Sequence, residues 1–151
     1  MGTTLVSQID IDASPQQVWR LLTDLSAYPE WNPFIVRAEG RVEVGSRLTL
    51  RMQPVGGRPA TLRPTIVQAD EGSCLRWRGS VGVRGILDAE HVFRITARDG
   101  GGSRLHQNEH FTGLLVPLLA KSLHRTTRPA FDAMNEALKS RAERSAAALH
   151  D

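Results

Sequence analysis

Three polar residues, His91, Gln107 and Glu109, fall where alternation points side chains into an apolar interior. On the segment 86–97 the set Leu87, Ala89, His91, Phe93 and Ile95 shares one face, and Asp88, Glu90, Arg94 and Thr96 take the other. On 104–112 the corresponding inner set is Leu105, Gln107, Glu109 and Phe111. A hairpin turning near Gly101 places Ile95 opposite Gln107, Phe93 opposite Glu109 and His91 opposite Phe111. His91 and Glu109 are then diagonal neighbours within reach of a direct or water-bridged hydrogen bond. Trp77, from the face shared with Leu75 and Gly79, approaches His91 from the other side. Three uses are open to such a group. The polar atoms satisfy one another in a packed core, or they orient a ligand, or the imidazole and carboxylate move protons.

Other reactive residue types fail on spacing. His106 and His110 share a strand face, but four residues of strand separate them by roughly 13 Å, too far for one metal ion. Cys74, the single cysteine, forms no internal disulfide and reads as a packed thiol. Gly100, Gly101 and Gly102 lie between two strands, so they form a hairpin tip and not a phosphate cradle. No nucleophile elbow is present. No metal or cofactor is expected.

The elements that hold these residues are legible in outline. Residues 3–12 read as a strand, and Ser14, Pro15 and Gln17 then open a helix with a capping box. Val18, Trp19, Leu21, Leu22 and Leu25 give it an apolar face. Tyr28 to Pro33 end it with two prolines. Strands follow at 34–42, 46–53, 61–69, 74–80, 86–97 and 104–112, separated by glycine-rich or Asp-containing turns. Pro64 inside the third of these predicts an edge position or a bulge. From Leu114 to Ala148 the pattern is helical, with Leu115, Leu119, Leu123, Phe131, Met134 and Leu138 on one stripe. Pro129 is expected to kink or break that helix. The class is α+β, in one domain over residues 1–151.

Composition excludes several functions. The formal charge is +3, and the arginines are scattered along strands, so no nucleic-acid surface is expected. No apolar run approaches the roughly 18 residues of a membrane span. The N-terminus lacks the pattern of a secretory signal, and one cysteine suits a reducing compartment, so a cytoplasmic location is expected. An exposed sheet edge makes a homodimer plausible.

The chain resembles the SRPBCC superfamily, which includes START-like lipid carriers, birch-pollen-allergen-like proteins and bacterial polyketide cyclase/dehydrase-like proteins. The resemblance rests on Ile11, Ala13, Pro15, Val18 and Trp19, on the run from Tyr28 to Phe34, and on Leu75 to Trp77. Glu90 to Phe93, Glu109 to Gly113 and the helix from Ala130 to Lys139 complete it. It implies a helix-grip fold: a curved antiparallel sheet of about seven strands around a long C-terminal helix, with two short helices after the first strand. It also implies an internal cavity for a small apolar or amphipathic molecule, lipid- or polyketide-like. The expected lining is Leu50, Met52, Leu62, Trp77 and Phe93 from the sheet, Phe131 and Met134 from the helix, and the polar His91, Gln107 and Glu109. Two other roles stand beside binding. One is a cyclase or dehydratase using Glu109 and His91 as acid and base, and the other is a protein-interaction module.

Overall fold

A computed structural model describes residues 2–150; the outermost positions of the expected domain, Met1 and Asp151, lie outside the described residues. The element order is β1 (Thr3–Ile11), α1 (Pro15–Thr23), a 3-10 turn (Leu25–Ala27), α2 (Tyr28–Trp31), β2 (Ile35–Glu39) and β3 (Thr49–Met52). Then come β4 (Ala60–Leu62), β5 (Thr65–Asp70), β6 (Cys74–Ser80), β7 (Asp88–Ala97), β8 (Ser103–Thr112) and α3 (Val116–Ala148). The strands form an antiparallel sheet in the order β1-β8-β7-β6-β5 and a three-stranded sheet in the order β2-β3-β4. The class is α+β, as expected, with the long C-terminal helix and the short helices after the first strand.

The extra strand comes from Pro64. The segment expected as one strand at 61–69 is two, because proline offers no N–H to a ladder. Around it the chain passes from one sheet to the other. Leu48 N–H donates to the Pro64 carbonyl at 2.8 Å, and Ile66 N–H donates to the Ser46 carbonyl at 2.9 Å. Gly79 on β6 makes room for this crossing, since a Cβ there would lie 3.1 Å from Pro64 Cα.

Helix α1 begins as its sequence dictates. Ser14 Oγ accepts from Gln17 N–H at 3.2 Å, and Ser14 N–H donates to Gln17 Oε1 at 2.8 Å. Val18, Trp19 and Leu22 are its buried side chains. Tyr28 then fastens the turn from below, its hydroxyl donating to the Leu22 carbonyl at 2.5 Å. Burial pushes that phenol well above its ordinary pKa. Asn32 stops α2, with Oδ1 accepting from the N–H groups of Phe34 and Ile35.

Of the kink or break expected at Pro129, the break does not occur: helix α3 is continuous through it. Packing outweighs the lost hydrogen bond there: Ala130, Phe131, Met134 and Leu138 beyond the proline are all buried. The helix lies along β1. Thr3 meets His124, Ser7 meets Asp132 and Asn135, the Asp10 carbonyl meets Lys139 and the Asp12 N–H meets Glu143. From Thr3 to Asp12 a strand advances about 30 Å, and from His124 to Glu143 a helix advances about 29 Å. The two therefore stay in step over their whole shared length. No helix among the described residues is long and apolar enough to cross a membrane.

Candidate functional site

The inner face of the large sheet carries the polar group. Direct cross-strand pairing sets Trp77 opposite His91 and His91 opposite Glu109. On the next rung Leu75 faces Phe93, Phe93 faces Gln107 and Gln107 faces Ser7. The expected diagonal register is thus corrected to a direct one. The turn explains the difference. Arg98 N–H reaches the Gly102 carbonyl at 3.1 Å, and Gly100, Gly101 and Gly102 all hold positive φ, so the strands already pair at Ala97 and Ser103. The shift moves each partner by two residues, which keeps every side chain on its predicted face.

All ten residues expected to line the interior are buried. Leu50 faces Leu62 across the small sheet, with Met52 one step along the same strand face. His91 is enclosed by aromatic rings: Trp77 stacks on it at a centroid distance of 5.2 Å, Phe93 lies at 4.5 Å and the edge of Phe131 at 5.1 Å. Met134 and Phe131 descend from α3 into the same core. These side chains pack against one another between sheet and helix. A cleft of about 940 Å³ lies elsewhere, on the outer face of the sheet, and includes Arg47, Arg63, Arg78 and Arg84 in its wall.

The polar atoms inside are unevenly satisfied. His91 Nε2 lies 3.0 Å from Gln107 Oε1, and Gln107 Nε2 donates to Asn135 Oδ1 at 2.7 Å. Asn135 Nδ2 donates to Ser7 Oγ at 2.9 Å, and Ser7 donates to Asp132. On the other edge of the imidazole, Nδ1 faces Glu109 Oε2 at 3.4 Å, beyond an ordinary hydrogen bond. His91 Nδ1 and Trp77 Nε1 are buried without a hydrogen-bond partner among the described residues. No arginine or lysine pairs with Glu109 among the described residues. The arrangement can present a carboxyl oxygen, an imidazole nitrogen and an indole N–H to a polar group in an apolar setting.

Ser7, Asn135 and Asp132 were not among the sequence candidates. Asn135 follows Phe131 by four positions and so lies on the buried stripe of α3, and Ser7 follows Leu5 by two on the inner face of β1. Asking which polar residues share those faces would have found both. Asp132 is exposed and carries no such signal. His110 is exposed on the outer face and bonds Thr4 at 2.8 Å.

Comparison with known proteins places the fold. Among curated proteins none matches the sequence. Solved structures do match in fold. The aromatase/cyclase ZhuI of a Streptomyces species superposes with a TM-score of 0.78 at 18% identity, covering 95% of each chain. The di-domain aromatase/cyclase StfQ of the steffimycin biosynthetic pathway gives 0.78 at 15% identity over 97% of this chain and 52% of its own, so this chain spans about half of it. Norcoclaurine synthase of Thalictrum flavum gives 0.68 at 15% identity, covering 94% of each chain. At these identities the likeness is one of fold. The family model for polyketide cyclase/dehydrase and lipid transport matches residues 3–143, nearly the whole chain, and the protein belongs to that family.

Proposed function

We propose that the protein binds a small hydrophobic or amphipathic molecule, lipid- or polyketide-like, between the five-stranded sheet and α3. The observation that carries this reading is the pair of unpartnered buried atoms, Trp77 Nε1 and His91 Nδ1, beside the Glu109 carboxyl. A core built for stability alone has no use for them, since each costs about 1–3 kcal/mol when left unpaired. A ligand bearing a carbonyl or hydroxyl on an apolar body supplies the missing partners. The lining side chains touch one another, so binding parts α3 from the sheet. The seam that opens is the contact of loop 53–57 with α3. There Val55 N–H donates to the Thr126 carbonyl at 2.9 Å, one residue from the carbonyl whose helical donor Pro129 removes.

The test is a fluorescence titration of the full chain with a hydroxylated polycyclic aromatic ketone, and separately with a long-chain fatty acid. Trp77 stands in the proposed site, so saturable quenching is expected, with about tenfold weaker binding in Glu109→Gln. No saturable change with either probe would overturn the reading.

The approach of His91 to Glu109 favours a second reading, acid–base chemistry of cyclase or dehydratase type on a bound polyketide-like substrate. Under it, Glu109→Gln abolishes turnover and leaves binding intact. Unchanged turnover in that variant would remove the assigned role. A loss of affinity in this one variant, as against unchanged affinity with lost turnover, thus separates the two readings.

A further inference from the structure

One line of hydrogen bonds leaves the buried site and ends at the surface. It runs from His91 Nε2 to Gln107, from Gln107 to Asn135, from Asn135 to Ser7 and from Ser7 to Asp132. Its inner members are fully or almost fully buried, whereas Asp132 is exposed and lines a groove between β1 and α3 together with Thr4, His124 and Arg128. We propose that Asp132 is a positioning residue: through this line its carboxylate fixes a proton on His91 Nε2, leaving Nδ1 as the one ring nitrogen that exchanges a proton with Glu109.

The direction of the line follows from its ends. A carboxylate only accepts, so the single hydroxyl proton of Ser7 points at Asp132. Ser7 Oγ then has only lone pairs to offer Asn135, which must turn its amino group towards it. The Asn135 carbonyl consequently faces Gln107, and the Gln107 amino group donates to it. That leaves the Gln107 carbonyl facing His91, where it requires an N–H. Each link has one choice once the carboxylate is in place. Reversing the line turns every member and sets lone pair against lone pair at Asp132. Water cannot readily repair such a mismatch at Gln107 and Asn135, which are 0% and 1% exposed.

The consequence appears on the opposite edge of the ring. With the proton held at Nε2, neutral His91 turns a lone pair towards Glu109 Oε2, 3.4 Å away. Two lone pairs do not settle at that separation in an apolar interior, so one proton belongs to this edge, on Nδ1 or on the carboxyl. The pair therefore offers a ligand one donor and one acceptor side by side, matched to a carbonyl next to a hydroxyl. That use rests on the binding reading above; the tautomer itself does not.

The experiment is a long-range proton–nitrogen correlation spectrum of the full chain labelled with ¹⁵N-histidine, at neutral pH. Five histidines contribute, and His91 is the buried one among those described. In the wild-type protein His91 Nε2 is expected to be of the protonated type, with a proton slow to exchange with water. Asp132→Asn, whose amide donates as well as accepts, and Ser7→Ala, which cuts the line, should each shift Nε2 towards the bare type as the Nδ1–H tautomer fills in. Asp132 is exposed, so its variant tests the line with the fold intact, checked by circular dichroism. A bare Nε2 in the wild-type protein overturns the proposal, as does a wild-type pattern persisting in either variant. If the tautomer shifts as expected while no ligand binds, the positioning role stands and the binding reading falls.

Discussion

Glu90 and Glu109 sit on neighbouring strands of one sheet and face opposite ways. Glu90 points outward, where Arg78 at 2.5 Å and Arg76 at 3.1 Å hold its carboxylate. Glu109 points inward, where the imidazole of His91 at 3.4 Å is its charged or chargeable neighbour. The outer face is a lattice of ion pairs that continues through Asp10 with Arg104 and Asp12 with Arg98. The inner face is aromatic and aliphatic except for one ladder of polar groups. On this outer face Arg76, Arg78 and Arg104 pair with carboxylates that water already solvates. The carboxyl inside faces an imidazole and, among the described residues, no arginine or lysine. Outside, charge meets charge in the presence of water; inside, one carboxyl stands among apolar side chains with an imidazole beside it.

The contrast breaks most visibly under truncation. Trp77→Ala removes the ring stacked on His91 and should destabilise the fold by about 3–5 kcal/mol. Arg78→Ala, one residue along on the outer face and 63% exposed, should cost less than about 1 kcal/mol. Urea midpoints of the two variants measure the gap. Equal losses would mean that the inner ladder is no more a part of the core than the outer one.

A second pair of adjacent positions sharpens the comparison within β8. Gln107→Leu keeps the volume and removes both hydrogen bonds, stranding His91 Nε2 and Asn135 Oδ1, at a cost of about 1–3 kcal/mol. His106→Leu, on the outer face, should stay within about 0.5 kcal/mol of the wild type. Denaturation curves that place Gln107→Leu at wild-type stability would show the buried line to be energetically idle.

Local rules made much of this legible. The capping box of α1, the alternation on β7 and β8 and the apolar stripe of α3 each involve residues a few positions apart, where propensity and period act directly. The features that escaped depend on closure at a distance. The two-residue register correction was decided by three consecutive glycines at positive φ, a conformation that the sequence permits but does not count out. Pro64 announced an irregularity, yet only the strand order shows that β4 and β5 part there into two sheets. Pro129 failed to break α3 because the residues after it are held by the core, not by helix propensity. The line from His91 to Asp132 joins positions more than a hundred residues apart, Ser7 and Asn135 among them, and no periodicity within one element could have revealed it.

The smallest effect tests the outer member of the opening pair by pH. The hydrogen bond from Arg78, helped by the charges of Arg78 and Arg76 and opposed by partial burial, holds the Glu90 carboxyl below its ordinary pKa. A carboxyl lowered in the folded state is ionised there while the unfolded chain already binds a proton, so its stabilising contribution is complete above the unfolded value. It is lost as pH falls through the folded one. Comparing wild type with Glu90→Gln isolates this group from Asp10, Asp88 and Glu143, whose carboxyls are also lowered. At pH 7 the wild type should be the more stable by less than about 1 kcal/mol, because the pair is partly solvated. The difference should shrink on acidification below about pH 4, the ordinary glutamate range, and vanish once Glu90 is protonated in both states. A difference that stays constant from pH 7 to pH 3 would show that the arginines hold Glu90 by shape and not by charge, and the electrostatic contrast between the two faces would then have lost its outer half.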